Sequence, residues 1–195
     1  SNNKVHEILD HGFFLDSKDV EIFKHDNQRY ACINVVYDQQ SFFGNANDIS
    51  EQRYYEILST YITRLCNMGF QKIYMVPHIH QDLIAISRIM NLLNTNIVSN
   101  KIVVHQLQQG EGSARAIFGL YRGSSLNLGT RYHMNVCSLA LGRPTIPIAI
   151  TKRIQELYSS LGAKTELSNE ISDIDNRIVK TLDSKKNTLS KVIQE

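Results

Sequence analysis

The sequence predicts an α/β fold, a doubly wound parallel sheet of Rossmann-like design, and three observations predict it. Short apolar runs alternate with segments of helical period along most of the chain. The runs show little polar alternation, as expected of strands covered on both faces. Polar and titratable residues gather in the loops that follow the runs, where open parallel sheets hold their ligands. A chain of 195 residues suffices for one packed domain. We place that domain at 29–165, between an irregular N-terminal segment, 1–28, and a helical C-terminal segment, 166–195, packed on it.

Each element follows from a local pattern. In the first segment, Gly12-Phe13-Phe14-Leu15 is apolar but flanked by charge, and reads as a short turn on the domain edge. The β-rich run 30–37 is the first strand, and a polar loop, 38–50, contains Asn47 and Asp48. Ser50 and Glu51 open a helix. Its apolar positions Tyr54, Ile57, Leu58, Tyr61, Ile62 and Leu65 keep the helical period, and Gly69 ends it. The second strand is 72–76, followed by the loop His78-Ile79-His80-Gln81-Asp82 and a helix over 83–93. The third strand is 101–104; Gly110-Glu111-Gly112 then precedes a helix over 113–121. Strands at 126–128 and 145–150 follow, and a helix over 151–161 ends at Gly162. Beyond it, Ile171, Ile174, Ile178, Val179 and Leu182 recur at helical spacing.

Composition excludes several classes. With 21 basic and 19 acidic residues the net charge is +2, and no basic stripe interleaves with aromatics, so nucleic acid is not the expected partner. Cys32, Cys66 and Cys137 are odd in number and form no Cys-x-x-Cys, which points to free thiols in a reducing, cytoplasmic setting. No apolar run approaches the roughly 20 residues of a membrane span, and no secretory signal opens the chain.

The stretch 128–148 carries the chemistry. It reads as a strand end, a tight turn, a helix and a second buried strand. Gly129 is expected to permit the turn, and Thr130 to cap the helix through its hydroxyl. Arg131 and His133 then fall in the first turn, beside unpaired N–H groups and the positive end of the helix dipole. That is an anion site with one fixed cation and one titratable ring. Gly142 belongs at the C-cap and Pro144 stops the helix. Blander roles stay open: Arg131 pairs with a carboxylate on a neighbouring loop, or His133 is a core imidazole. The spacing His78-x-His80-x-Asp82 suits a metal, but no third ligand is defined. A helix opening with Asp82 in its first turn fits better, so no metal site is expected. Gly110-x-Gly112 is too short for a dinucleotide fingerprint, and no nucleophile-elbow motif is present.

This stretch resembles the polysaccharide pyruvyl transferase family. Members carry a Gly-x-Arg-x-His turn, a small-residue helix and Gly-x-Pro entering an apolar strand. Here these are Gly129, Arg131, His133, Gly142 and Pro144, and the likeness extends over 30–162 through Asn47-Asp48, Gly69 and Val76-Pro77-His78. The resemblance implies a glycosyltransferase-B-like, bacterial, cytoplasmic enzyme of exopolysaccharide biosynthesis. It would move pyruvate from phosphoenolpyruvate onto glycan hydroxyls, forming a ketal, with no further cofactor. Arg131 would clamp phosphoenolpyruvate and His133 would bind it or transfer the proton. Asn47 and Asp48 would line the crevice; Gly129 and Thr130 are further substrate-binding candidates, and loop placement alone brings His78 and Glu111 to the same rim. A full member has an N-terminal lobe, for which 195 residues leave no room. The chain is therefore expected to be the C-terminal, donor-binding lobe, inactive alone. Two other readings stand beside it: a nucleotide-sugar glycosyltransferase or epimerase lobe, with Glu111 against a ribose, and a non-enzymatic small-ligand-binding domain.

Overall fold

In the computed structural model five strands form one parallel sheet in the order β3-β2-β1-β4-β5. The structure describes residues 11–16, 18, 20–23, 28–37, 49–107, 110, 112–163, 165 and 171–184. The strands are β1 (Tyr30–Asn34), β2 (Lys72–Val76), β3 (Ile102–Val104), β4 (Leu126–Gly129) and β5 (Thr145–Pro147). The helices are α1 (Glu51–Asn67), α2 (Asp82–Asn91), α3 (Thr95–Lys101), α4 (Ser113–Gly123), α5 (Tyr132–Ala140), α6 (Lys152–Ser160) and α7 (Ile171–Asp183). The strand starts agree with the sequence expectation within one residue, and every pairing is parallel.

Alternation along the strands divides the core into two layers, because successive side chains leave a strand on opposite faces. Ala31 and Ile33 of β1 pack with Ile73, Met75, Leu126 and Leu128 against Tyr54, Leu58 and Ile62 of α1 and Ile174 and Ile178 of α7. Tyr30 and Cys32 face the other way, with Tyr74 and Val76, onto Ile117, Leu120 and Tyr121 of α4 and Met134 of α5. A third cluster joins Val136 and Leu139 of α5 to Ile154, Leu157 and Tyr158 of α6, with Phe13 of the short 3-10 turn His11–Phe14 packed against it. Asp175 of α7 also accepts from Arg64 Nε of α1 at 2.7 Å.

Three local expectations are corrected. The helix α3 was not expected between α2 and β3. It buries no residue and so leaves no periodic apolar signal; Asn94 starts it by accepting from Asn96 N. The cap of α5 is Arg131, not Thr130, and it makes no side-chain cap bond. Two residues separate β4 from the helix, and Arg131, the second, is extended at φ −101° and ψ 141°. The hydroxyl of Thr130 instead donates across the sheet to Asn34 O at 2.8 Å. Gly129 lies in β4, and its φ is outside the left-handed region, which holds Gly142 at +64° just past α5. What demands glycine at 129 is close approach: a Cβ there would come within 2.6 Å of both Asn135 Nδ2 and Met134 Sδ.

Candidate functional site

The strand order reverses between β1 and β4, which places the crevice of a doubly wound sheet at their carboxyl ends. Polar bonds close a ring around that point. Thr130, after β4, donates to Asn34 O at the end of β1. Asn34 Nδ2 donates to Val76 O at the end of β2, 3.0 Å away. From the loop after β2, Asp82 returns to Arg131 at 2.6 Å. Thr130, Asn34 and Asp82 are all buried. The ring fixes the segment that carries Arg131.

The carboxylate of Asp82 is fully buried, and a buried charge persists only when it is paired and hydrogen-bonded. Oδ2 accepts from His78 N at 2.8 Å and Ile79 N at 3.1 Å, and Oδ1 from Arg131 Nη2. The side chain of Arg131 is 23% exposed, and its Nε is buried with no partner among the described residues.

Behind the pair, His78 Nε2 lies 2.7 Å from Tyr121 Oη. Burial first, then the Arg131 cation, push the His78 imidazole down to about 4, against the opposing charge of Asp82. It is therefore neutral near pH 7. Burial also pushes the Tyr121 phenol up, so its proton stays on oxygen. This pair forms a neutral wall to the cationic site.

His133 is exposed, the second residue of α5. Its ring meets Tyr132 edge-on, centroids 5.5 Å apart. Arg153, two residues after the Thr151 cap of α6, lays its guanidinium 3.9 Å over the Tyr132 ring. The start of α5 thus presents backbone N–H groups without a side-chain cap, one anchored guanidinium, one exposed imidazole and a second cation. An uncapped helix start beside cations suits an anion, and an imidazole suits proton transfer.

Asn135 braces this helix start from inside. Its Nδ2 donates to Gly129 O at 3.0 Å and Arg131 O at 2.8 Å, and its Oδ1 accepts from Tyr158 Oη at 3.0 Å.

Of the residues the sequence singled out, the structure brings together Gly129, Thr130, Arg131, His133 and His78. The Thr130 side chain is turned inward rather than toward the rim. Asn47, Asp48 and Glu111 lie outside the described residues. Arg131 does pair with a carboxylate on a neighbouring loop, as one open reading had it. The spacing His78-x-His80-x-Asp82 is taken up by Tyr121 and Arg131. Among the described residues no group of three or more metal-ligating side chains converges. Tyr121, Asn135 and Arg153 were missed. For Asn135 there was a signal, an amide set between Met134 and Val136 in the apolar part of its helix; for the other two there was none.

Among the described residues no helix is long and apolar enough to cross a membrane. In fold, the chain is similar to the E. coli ADP-heptose LPS heptosyltransferase II, with a TM-score of 0.51, 13% identity and 83% of this chain covered against 47% of that one. It is also similar to the UDP-GlcNAc 2-epimerase from Neisseria meningitidis bound to UDP-GlcNAc, with a TM-score of 0.55, 14% identity and 85% of this chain covered against 41% of that one. The chain thus spans less than half the length of these structures, and the likeness is one of fold, a Rossmann-like parallel sheet of the glycosyltransferase-B type. No curated protein matches the chain significantly in sequence. The family model for polysaccharide pyruvyl transferases matches residues 1–152, which include the whole Gly129–Arg131–His133 turn, and the chain belongs to that family.

Proposed function

We propose that the chain is the C-terminal, donor-binding lobe of an enzyme that transfers pyruvate from phosphoenolpyruvate to two hydroxyls of a glycan. Family membership supports the transferase class. The observation that carries the donor assignment is the uncapped start of α5, with Arg131 anchored by Asp82 and His133 exposed beside it.

The reaction sets the requirements. Two acceptor O–H bonds break and two C–O bonds form at the donor's C2. The C3 methylene gains one proton and becomes a methyl group. The C2–O bond to phosphate breaks, and phosphate leaves with the second proton. The donor's carboxylate and phosphate must both be held while a proton reaches C3.

The α5 N–H groups and Arg131 suit the anionic groups. Because Asp82 already balances the charge of Arg131, net attraction falls to the helix start and to Arg153. His133 supplies an exposed imidazole, a ring able to carry and deliver the C3 proton. The neutral His78 limits like-charge crowding around Arg131. Asn47, Asp48 and Glu111 stay lesser donor-binding candidates on the sequence pattern alone. The enol phosphate is itself the activated group, so this scheme uses no cofactor. The glycan acceptor would be presented by a second lobe.

The test is a titration of the chain with phosphoenolpyruvate, inorganic phosphate and a uridine diphosphate sugar, followed by calorimetry and thermal shift. Binding to the native state raises the melting temperature by mass action. Phosphoenolpyruvate should stabilise the chain, and Arg131→Ala should weaken it by about 1.5–3 kcal/mol, the scale of a hydrogen bond to a charged group. A response to the uridine nucleotide alone would transfer the reading to a nucleotide-sugar lobe. No response to phosphoenolpyruvate would refute the donor assignment.

A further inference from the structure

We infer that Asp82 is a positioning residue of the donor site, acting through Arg131 to aim its guanidinium. The inference rests on the donor reading above and adds a residue to it. Asp82 opens α2, in the loop that follows β2, while Arg131 follows β4. In the sheet β1 lies between those two strands. The carboxylate therefore reaches across the crevice, although 49 residues separate the partners.

The orientation of the carboxylate is set before Arg131 meets it. Two consecutive amides, His78 N and Ile79 N, hold Oδ2, and Tyr37 N stands 3.5 Å from Oδ1. A carboxylate fastened to main chain in this way offers its remaining lone pairs in one direction. Arg131 Nη2 takes that direction.

The pair leaves a donor over. Arg131 Nε is buried and unpartnered among the described residues. A pair selected for stability alone would satisfy this N–H as well, since guanidinium and carboxylate readily meet through two parallel bonds. Here one terminal nitrogen is anchored and the Nε–H is kept inside, next to a helix start that also lacks a side-chain cap. Both features fit an incoming oxyanion. Asp82 keeps the guanidinium turned so that this N–H stays available.

Asp82→Asn preserves shape and can still accept from the two amides, but it loses the charge that holds Arg131. The first readout is the Arg131 Nε–H signal in nitrogen-15 spectra of the chain, assigned by its loss in Arg131→Ala. We expect it sharp and slow to exchange in the wild type and averaged in Asp82→Asn. An identical signal in both would overturn the inference, whatever phosphoenolpyruvate does.

The second readout is phosphoenolpyruvate affinity in a double-mutant cycle. Asp82→Asn should weaken binding roughly ten-fold, the scale of one charge-assisted bond. In the Arg131→Ala background it should change nothing further. An equal loss in both backgrounds would mean that Asp82 acts on the fold and not through Arg131, and would overturn the proposal. Should Asp82→Asn fail to fold, Asp82→Glu, which keeps the charge and displaces it by one methylene, gives the same comparison. A wild type that does not bind phosphoenolpyruvate sinks the donor reading; the Nε–H signal then decides separately whether Asp82 aims Arg131.

Discussion

Replacing Gly129 with alanine tests how the start of α5 is built. The new Cβ would lie 2.6 Å from Met134 Sδ and 2.6 Å from Asn135 Nδ2. The methionine sulfur is the end of a flexible side chain and can give way. The amide cannot move cheaply, because Gly129 O, Arg131 O and the Tyr158 hydroxyl all bind it. Overpacking costs about 1–3 kcal/mol, and each strained buried hydrogen bond adds about 1 kcal/mol. We expect Gly129→Ala to destabilise the chain by about 2–4 kcal/mol. At about 2–4 °C per kcal/mol for a chain of this size, the melting temperature should fall by roughly 4–16 °C. Calorimetry measures the shift, and a titration with phosphoenolpyruvate should show weaker binding, because Asn135 also holds the Arg131 carbonyl. A control separates this cause from a general effect of alanine in a strand. In an Asn135→Ala background the cost of Gly129→Ala should shrink, since the space is vacated. A Gly129→Ala protein that melts within about 1 °C of wild type would refute the close-approach account.

Other perturbations follow from the same geometry. Thr130→Val should cost about 1–3 kcal/mol in urea denaturation, because Asn34 O loses its buried donor; unchanged stability would show that this bond does not tie β4 to β1. The His78 imidazole is held down to about 4 when folded, below its ordinary value near 6.5, so the folded state binds fewer protons between those values. Its contribution is therefore complete above about pH 6.5 and lost as the pH falls toward 4, by about 3 kcal/mol in all; His78→Gln should flatten that part of the stability profile, and an unaltered slope would count against it. Arg153→Ala should weaken phosphoenolpyruvate binding while leaving the melting temperature nearly unchanged, and calorimetry with a thermal melt reads both. The chain alone should release no phosphate from phosphoenolpyruvate with a glycan acceptor. In a two-lobed parent, His133→Ala should cut turnover about 10²–10⁴-fold, the usual range for a lost general acid or base.

The sequence showed most of the sheet because burial on both faces leaves a direct mark. Ala31, Ile33, Ile73 and Leu128 stand in runs that no amphipathic helix would use. The helices α1 and α6 showed through their apolar stripes, and α3 did not, because none of its residues is fully buried and Ile97 only leans on the core. Arg131 and His133 were legible as a helix-start pair. The partner of Arg131 was not, because Asp82 reaches it only once the order β2-β1-β4 is known. Within the loop after β2, Asp82 suited either a metal or a helix opening, and its spacing alone held no hint of a cation two strands away.

Gly129 shows a second kind of limit. Glycine is selected both where φ must be positive and where another chain must come close, and the letter does not distinguish them. Only the neighbours do. Asn135 fills the place of a Cβ, and the same amide fastens the carbonyls of Gly129 and Arg131. The missing side chain at 129 and the polar side chain at 135 are thus two halves of one device. It holds the start of α5 against the end of β4, and so holds Arg131 where Asp82 can reach it. The glycine and the arginine of the Gly-x-Arg-x-His turn are linked through a residue outside that turn. A substitution at Asn135 should therefore loosen Arg131 as surely as one at Asp82, but from the opposite side.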